Sequence, residues 1–430
     1  MNLYIFNETR RGAVYGVGTY ISELTVALKG SEINICVVNL LSDKPQIQYE
    51  DVDGIRYWCF PAPIQEQWTS VNQKQRELYL RNVVYLLQLH IQDKTNLIFH
   101  LNYLESSKLA EELKNTFDCR IITTVHYVDW GFTMYDNLPQ LQNILSDAHP
   151  DDFGNKLQKT VEEDKSYYAK ADRIICYSHY MYDVMCRYYD AEPAKTFFIA
   201  NGMQDNEQLK EKNYELRIAK QRSAVAKYEL NKTILRKKWN IRAREKIILF
   251  VGRVDEIKGL SYLIESYRHV LSFYSQSRLV IAGEGNYAKY IKDSQDICAN
   301  ITFTGMLDKT QLQEWYCLSD IGVMPSLFET FGYVAAEMMM YGLPVVATAT
   351  SGLNEVIDDT CGLQIPLIKY PDKVEIDTGL LTEKILYLLE HPKEAKMMGQ
   401  NGRKRYLEKY SLPEFRKNML DFYRSLDIAP

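Results

Sequence analysis

The sequence predicts an α/β fold built on two doubly wound parallel sheets. Two observations carry this reading. Short, near-continuous apolar runs alternate with helix-period segments along nearly the whole chain, the pattern of parallel strands covered on both faces. The length of 430 residues exceeds one ordinary core, since domains usually hold about 100–200 residues, and so many strands overfill one comfortable open sheet.

The strand candidates in the first half are Leu3–Phe6, Ile33–Leu40, Ile55–Phe60, Leu97–Leu101, Arg120–Val125, Arg173–Cys176 and Thr196–Ile199. Those in the second half are Ile247–Val251, Arg278–Ala282, Ile301–Phe303, Ile321–Met324 and Pro344–Ala347. Helical segments such as Val71–Ile91 and Leu260–Phe273 supply the crossovers. Between the halves, residues 208–246 lose the strand signals and become rich in Lys and Arg. The apolar residues there (Leu216, Ile218, Val225, Tyr228, Ile234, Leu235, Trp239) make only a ragged stripe. The segment reads first as a solvated basic helical linker over 207–245. Its second reading is a surface for weak peripheral contact with a membrane or another anionic surface through 208–246. The expected domains are therefore 1–206 and 246–410, with a last helical segment, Ser411–Leu426, inside 411–430.

Hydrophobic residues make up 46% and charged residues 25% of the chain, the composition of a soluble globular protein and not of a disordered, collagenous or disulfide-scaffold chain. A formal charge of -5 argues against a nucleic-acid partner, which needs a basic surplus. Cys36, Cys59, Cys119, Cys176, Cys186, Cys298, Cys317 and Cys361 form no C-x-x-C pair, and most sit in or beside apolar runs as small buried hydrophobes. The N-terminus MNLYIFNETRRG lacks the basic-then-apolar pattern of a signal peptide. No stretch approaches the roughly 20 apolar residues of a spanning helix. A cytoplasmic protein, with peripheral contact at the inner face of the membrane left open, is the expectation.

Three segments could carry chemistry. In GAVYGVGTYISEL (Gly12–Leu24), glycines join the first strand to a helix beginning near Gly18, where backbone N–H groups can approach an anion. Ile21 stands at the third glycine position of the dinucleotide fingerprint, and the loop from Asn7 to Tyr15 is long, which disfavours a nicotinamide dehydrogenase. The contact residue stays open among Gly16, Val17 and Gly18. In IILFVGRVDEIKGLSYLIESY, a buried strand ends at Gly252-Arg253, and Lys258 precedes a helix. Cations just beyond a parallel strand's carboxyl end lie where open α/β sheets bind ligands. Arg253 offers a planar fork to phosphate oxygens and Lys258 a mobile point charge. In PSLFETFGYVAAEMMMYGLPVVAT, Glu329 lies in a loop, and the amides of Thr330, Phe331 and Gly332 open a helix with its anion-binding end. Glu337 follows inside that helix, able to accept hydrogen bonds from a sugar diol, and Gly342 stops it.

Taken together these segments resemble the retaining GT-B glycosyltransferases of family 4 (glycosyl transferases group 1). The most specific part is E-x7-E, Glu329 to Glu337, within S-x-x-E-T-F-G and followed by G-L-P-V-V-A-T. Gly252, Arg253, Lys258 and Gly259, the LVIAGEGN turn with Gly283 and Gly285, SGLNEV with Gly352 and Glu355, TVHYVDW with His126, and the ANG turn with Asn201 and Gly202 fit in order. The resemblance implies two Rossmann-like domains facing a central cleft, the first completed by the C-terminal segment 411–430. It implies transfer of a sugar, with retention, from a nucleotide-sugar donor, UDP-linked ahead of GDP-linked. The acceptor would be a glycan, lipid-linked or protein-linked hydroxyl.

The resemblance makes Arg253, Lys258, Glu329 and His126 the catalytic group. Donor binding falls to Gly16, Val17, Gly18, Gly252, Gly283, Gly285, Gly305, Met306, Leu307, Thr330, Phe331, Gly332 and Glu337. The residues themselves argue for metal-free chemistry and no cofactor, since cations and amides can neutralise a leaving diphosphate and no D-x-D triplet ends a strand. Two other readings stand beside it: a catalytically silent relative acting as a binding or chaperone subunit, and another GT-B enzyme such as a sugar-nucleotide epimerase.

Overall fold

A computed structural model describes residues 1–9, 16–63, 73–102, 107–205 and 232–426. The chain divides into two units, one of residues 1–128, 143–203 and 412–430, the other of residues 129–142 and 204–411.

The first unit holds β1 (Asn2–Glu8), β2 (Asn34–Ser42), β3 (Gln48–Val52), β4 (Ile55–Pro61), β5 (Leu97–Leu101), β6 (Cys119–Val125), β7 (Arg173–Cys176) and β8 (Thr196–Phe198). They form an eight-stranded sheet in the order β3-β4-β2-β1-β5-β6-β7-β8, parallel except for the β3–β4 edge pair. β1 pairs with β2 on one side and β5 on the other, so the strand order reverses there, and the crevice of such a reversal opens at the carboxyl ends. The residues of β5 are all buried, as expected of a central strand covered on both faces. β3 was not expected: its sequence QYEDV is polar and mostly exposed, and only pairing with β4 holds it as a strand.

The helix Leu412–Ser425 belongs to this first unit. It buries Phe415, Met419, Leu420, Phe422 and Tyr423, apolar side chains worth roughly 1.5–3 kcal/mol each when fully buried. Phe415 meets Tyr20 of the helix Gly16–Leu28 at a ring separation of 6.0 Å, and the Arg416 guanidinium donates to the carbonyls that end that helix.

The second unit holds β9 (Lys246–Val251), β10 (Ser277–Ala282), β11 (Ile301–Gly305), β12 (Ile321–Met324), β13 (Val345–Thr348) and β14 (Gly362–Ile365). Its six strands run parallel in the order β11-β10-β9-β12-β13-β14, and the order reverses between β9 and β12. A two-stranded antiparallel hairpin, β15 (Leu367–Lys369) with β16 (Val374–Ile376), lies outside this sheet. β14, β15 and β16 are short and carry too few apolar residues for periodicity to reveal them. The core gathers Ile248, Phe250, Leu263, Leu279, Val323 and Val346 between the sheet and its helices.

The segment 129–142, expected within the first domain, clusters with the second unit. There the Asn137 side chain donates to the Tyr370 carbonyl at 2.7 Å, and the Phe132 ring meets Phe328 edge-on at 5.3 Å. Of the basic segment 208–246, residues up to 231 lie outside the described ones. The remainder is helical over 232–238, and two of its lysines are paired: Lys238 with Glu314 at 2.7 Å and Lys232 with Asp320 at 3.6 Å. Trp239 packs against Trp315 and donates its indole N–H to Glu314. Among the described residues, no helix is long and apolar enough to cross a membrane.

Candidate functional site

In the second unit the expected residues collect at the carboxyl ends of the strands, around the β9/β12 reversal. β9 runs into Gly252, whose backbone is in the left-handed half of conformational space at φ 152. Its neighbours across the sheet, Gly283 and Gly285, have φ 142 and 150. A side chain at Gly283 would put Cβ 2.8 Å from the Gly252 carbonyl carbon, and one at Gly285 would meet the Val254 backbone. Glycine is required here because two backbones touch. The contact is locked by Gly252 N–H donating to Ala282 O at 2.9 Å and by Val254 N–H donating to Glu284 O at 2.8 Å. Met306 beyond β11 is exposed and Leu307 partly so.

Arg253 and Lys258 follow on one short turn. Arg253 pairs with Asp255 at 3.0 Å. The other Asp255 oxygen accepts from the Lys258 backbone N–H, capping the turn Glu256–Lys258. Gly259, at φ 67, ends that turn and begins the helix Leu260–Phe273. Lys258 then reaches across the sheet reversal, and its Nζ lies 2.5 Å from Glu329 Oε2. Both side chains are about one-fifth exposed (20% and 17%).

Glu329 sits in the loop between β12 and the helix Tyr333–Met340. Gly332 caps that helix at φ 100, a left-handed position suited to glycine. The Phe331 ring is buried against Tyr333 and Tyr410, so only its backbone can meet a ligand. Because the helix begins at Tyr333, the two glutamates do not share it. Glu337, inside it, accepts a hydrogen bond from the Tyr316 hydroxyl at 2.6 Å. Burial pushes the Glu337 carboxyl above its usual range, and that hydrogen bond pulls it partly back. Burial, and next Glu337 itself, hold the Tyr316 phenol well above its ordinary value.

The remaining expected residues belong to the first unit. Gly16, Val17 and Gly18 open the helix Gly16–Leu28 with Gly16 exposed; residues 12–15 of that glycine-rich loop lie outside the described ones. His126 follows β6 and is buried. Its Nδ1 lies 2.5 Å from the Tyr177 hydroxyl and its Nε2 3.0 Å from Asn102 Oδ1. Asn102 in turn donates to the Phe6 carbonyl at 3.0 Å. Both ring nitrogens are therefore engaged, and direct contact with a sugar through either requires Asn102 or Tyr177 to yield it. Behind it, His100 is held by Tyr423 at 2.7 Å and by Thr124 at 2.6 Å. Burial lowers His100 to about 3 and keeps His126 well below its usual value.

Sequence reasoning missed Tyr316, Asn102, Tyr177 and His100. Only Asn102, a polar residue ending a strand, had a local signal. The others reach the site through tertiary contact.

Two doubly wound parallel sheets, each in its own unit, give the chain the fold of the GT-B class. Residues 14–207 match Glycosyltransferase Family 4, and residues 231–405 match Glycosyl transferases group 1. The chain belongs to the family 4 glycosyltransferases. The chain spans about half the length of curated relatives it matches. An uncharacterized glycosyltransferase of Methanocaldococcus jannaschii is 31% identical over 42% of this chain and 45% of its own. A longer match, the alpha-monoglucosyldiacylglycerol synthase of Streptococcus pneumoniae, is 24% identical over 84% of this chain and 74% of its own. Among solved structures, the sucrose-phosphate synthase of Thermosynechococcus elongatus shares the fold with a TM-score of 0.73 at 20% identity, covering 99% of both chains. HepE of Anabaena in complex with UDP and glucose does so with a TM-score of 0.67 at 14% identity, covering 99% of this chain and 100% of its own.

Proposed function

We propose that this chain is a retaining, metal-independent glycosyltransferase. It moves a sugar from a nucleotide-sugar donor, UDP-linked ahead of GDP-linked, to a hydroxyl of a glycan, lipid-linked or protein-linked acceptor. The observation that carries the reading is the Lys258–Glu329 pair at the β9/β12 reversal, beside strand ends that only glycine can form. Departure of a nucleoside diphosphate builds negative charge, and preorganised donors at that point lower the barrier. Lys258, Arg253 and the amides at Gly332 supply them. Glu329 holds Lys258 and accepts from a donor-sugar hydroxyl. Glu337, oriented by Tyr316, accepts from the ribose diol. The departing phosphate helps remove the acceptor proton in front-face attack, so no separate general base is assigned. The names of relatives favour α-linked products, among them a GDP-mannose-dependent alpha-mannosyltransferase of Corynebacterium glutamicum, and α products from α-linked donors mean retention. Cytoplasmic placement, with peripheral contact through 208–246, belongs to the same proposal.

The test is a panel of UDP-, GDP- and ADP-sugars with nucleotide release and binding as readouts, in the presence and absence of EDTA. One donor should bind and turn over unchanged in EDTA, and Glu329→Ala and Lys258→Ala should each abolish turnover while the far-UV spectrum is kept. No binding across the panel, or full activity in either variant, overturns the reading.

A further inference from the structure

The loop that carries Glu329 is gripped by a row of hydroxyls from the end of β13 and the segment after it. Thr348 Oγ1 donates to the Ser326 carbonyl at 2.5 Å. Thr350 Oγ1 donates to the Leu327 carbonyl at 3.0 Å. Ser351 Oγ accepts from the Glu329 backbone N–H at 3.1 Å and donates to the Glu329 carbonyl at 2.7 Å. The Gly352 N–H adds a bond to the same carbonyl at 3.0 Å. All three hydroxyl-bearing residues are buried, at 0%, 1% and 6% exposure. Three carbonyls of this loop, those of Ser326, Leu327 and Glu329, are thus answered by side-chain hydroxyls.

Ser351 stands apart from the two threonines in two ways. It alone contacts the backbone of the glutamate itself, at both N–H and C=O. It is also one of the non-glycine residues at positive φ, at 33, a conformation that costs a side chain energy and that glycine adopts freely. Glycine follows immediately, because a Cβ at Gly352 would lie 2.6 Å from the Thr330 carbonyl carbon. A backbone this close to Glu329–Thr330 would take glycine at both positions if closeness were all it needed. The serine retains its strained conformation and uses its hydroxyl on Glu329.

We infer that Ser351 is a positioning residue for Glu329, setting where its carboxylate meets Lys258 and the donor sugar. The inference rests on the role given to Glu329 above. With Lys258 fixing the carboxylate and Ser351 fixing the backbone, Glu329 is held at both ends. Releasing the backbone end lets the carboxylate drift, and small displacements at a reacting centre are costly in rate.

The experiment compares Ser351→Gly, Ser351→Ala, Thr348→Val and Glu329→Ala in the full chain, measuring kcat, donor KM, nucleotide affinity and melting temperature. Ser351→Gly and Ser351→Ala should both lower kcat by about tenfold or more while nucleotide affinity stays within about twofold. Ser351→Gly should melt above Ser351→Ala, since glycine relieves the positive φ. Thr348→Val, which loses a buried hydroxyl bonded to Ser326 and not to Glu329, should lower the melting temperature and leave kcat within about twofold. A positioning role predicts that kcat follows the hydroxyl and melting temperature follows the strain. If kcat instead tracks melting temperature across the Ser351 and Thr348 variants, or if Ser351→Gly keeps full kcat while Glu329→Ala is dead, the inference is overturned. Full activity in Glu329→Ala would overturn the function proposed for that glutamate, a separate result.

Discussion

Acidification should destabilise the first unit through its two buried histidines. His100 has its ordinary value of 6.5 in the unfolded chain and about 3 in the fold, because burial disfavours the cation. The unfolded chain therefore takes up the proton first. The stabilisation is complete above 6.5 and is lost as pH falls toward 3. At pH 5 the unfolded state is protonated and the folded state is not, a linkage worth about 2 kcal/mol for this one residue. His126, kept neutral by burial and then by His100, adds a loss of the same sign. Against a typical stability of about 5–15 kcal/mol, the effect is large enough to read. The assay is urea unfolding followed by far-UV circular dichroism at pH 7.5, 6.5, 5.5 and 5.0 for wild type and His100→Gln. A glutamine amide can still bond Tyr423 and Thr124 but does not titrate. Wild type should lose about 2 kcal/mol more than His100→Gln between pH 7.5 and 5.0. Parallel pH dependences in the two proteins would refute the buried neutral histidine.

Gly283→Ala should lower the melting temperature and abolish donor binding, because its Cβ would lie 2.8 Å from the Gly252 carbonyl carbon at a backbone φ of 142; the cost is about 1–3 kcal/mol, and a variant with wild-type melting and binding would exclude the close approach. Tyr316→Phe removes the hydroxyl that donates to the half-buried Glu337 carboxylate. Isothermal titration should show the donor nucleotide binding about tenfold more weakly, and an unchanged affinity would remove Glu337 from the nucleotide site.

Much of the framework was legible in the sequence because it depends on local pattern. β5, β7 and β12 stand where their apolar runs do, and the helix Leu260–Phe273 matches its periodicity. Such strands are buried on both faces, so hydrophobicity alone marks them. β3 escaped because an edge strand with an exposed face needs no apolar run. The basic linker reads as solvated because charge counts say nothing about partners, and in its described part the fold pairs Lys232 with Asp320 and Lys238 with Glu314.

The candidate site divides along the same line. Glycines at 252, 283 and 285, the cations Arg253 and Lys258, and the two glutamates stand out in the sequence because each segment's chemistry is written in consecutive residues. Their partners do not. Ser351 lies 22 residues from Glu329, Tyr316 lies 21 from Glu337, and Tyr423 lies 323 from His100. The sequence by itself determined the alternation of strands and helices and the residue types that can meet a phosphate or a sugar, since both follow from short-range pattern and intrinsic chemistry. The tertiary structure alone decided which oxygen each hydroxyl holds, which histidines stay neutral and which cation meets which carboxylate, because hydrogen bonds and desolvation act between residues that only folding brings within reach.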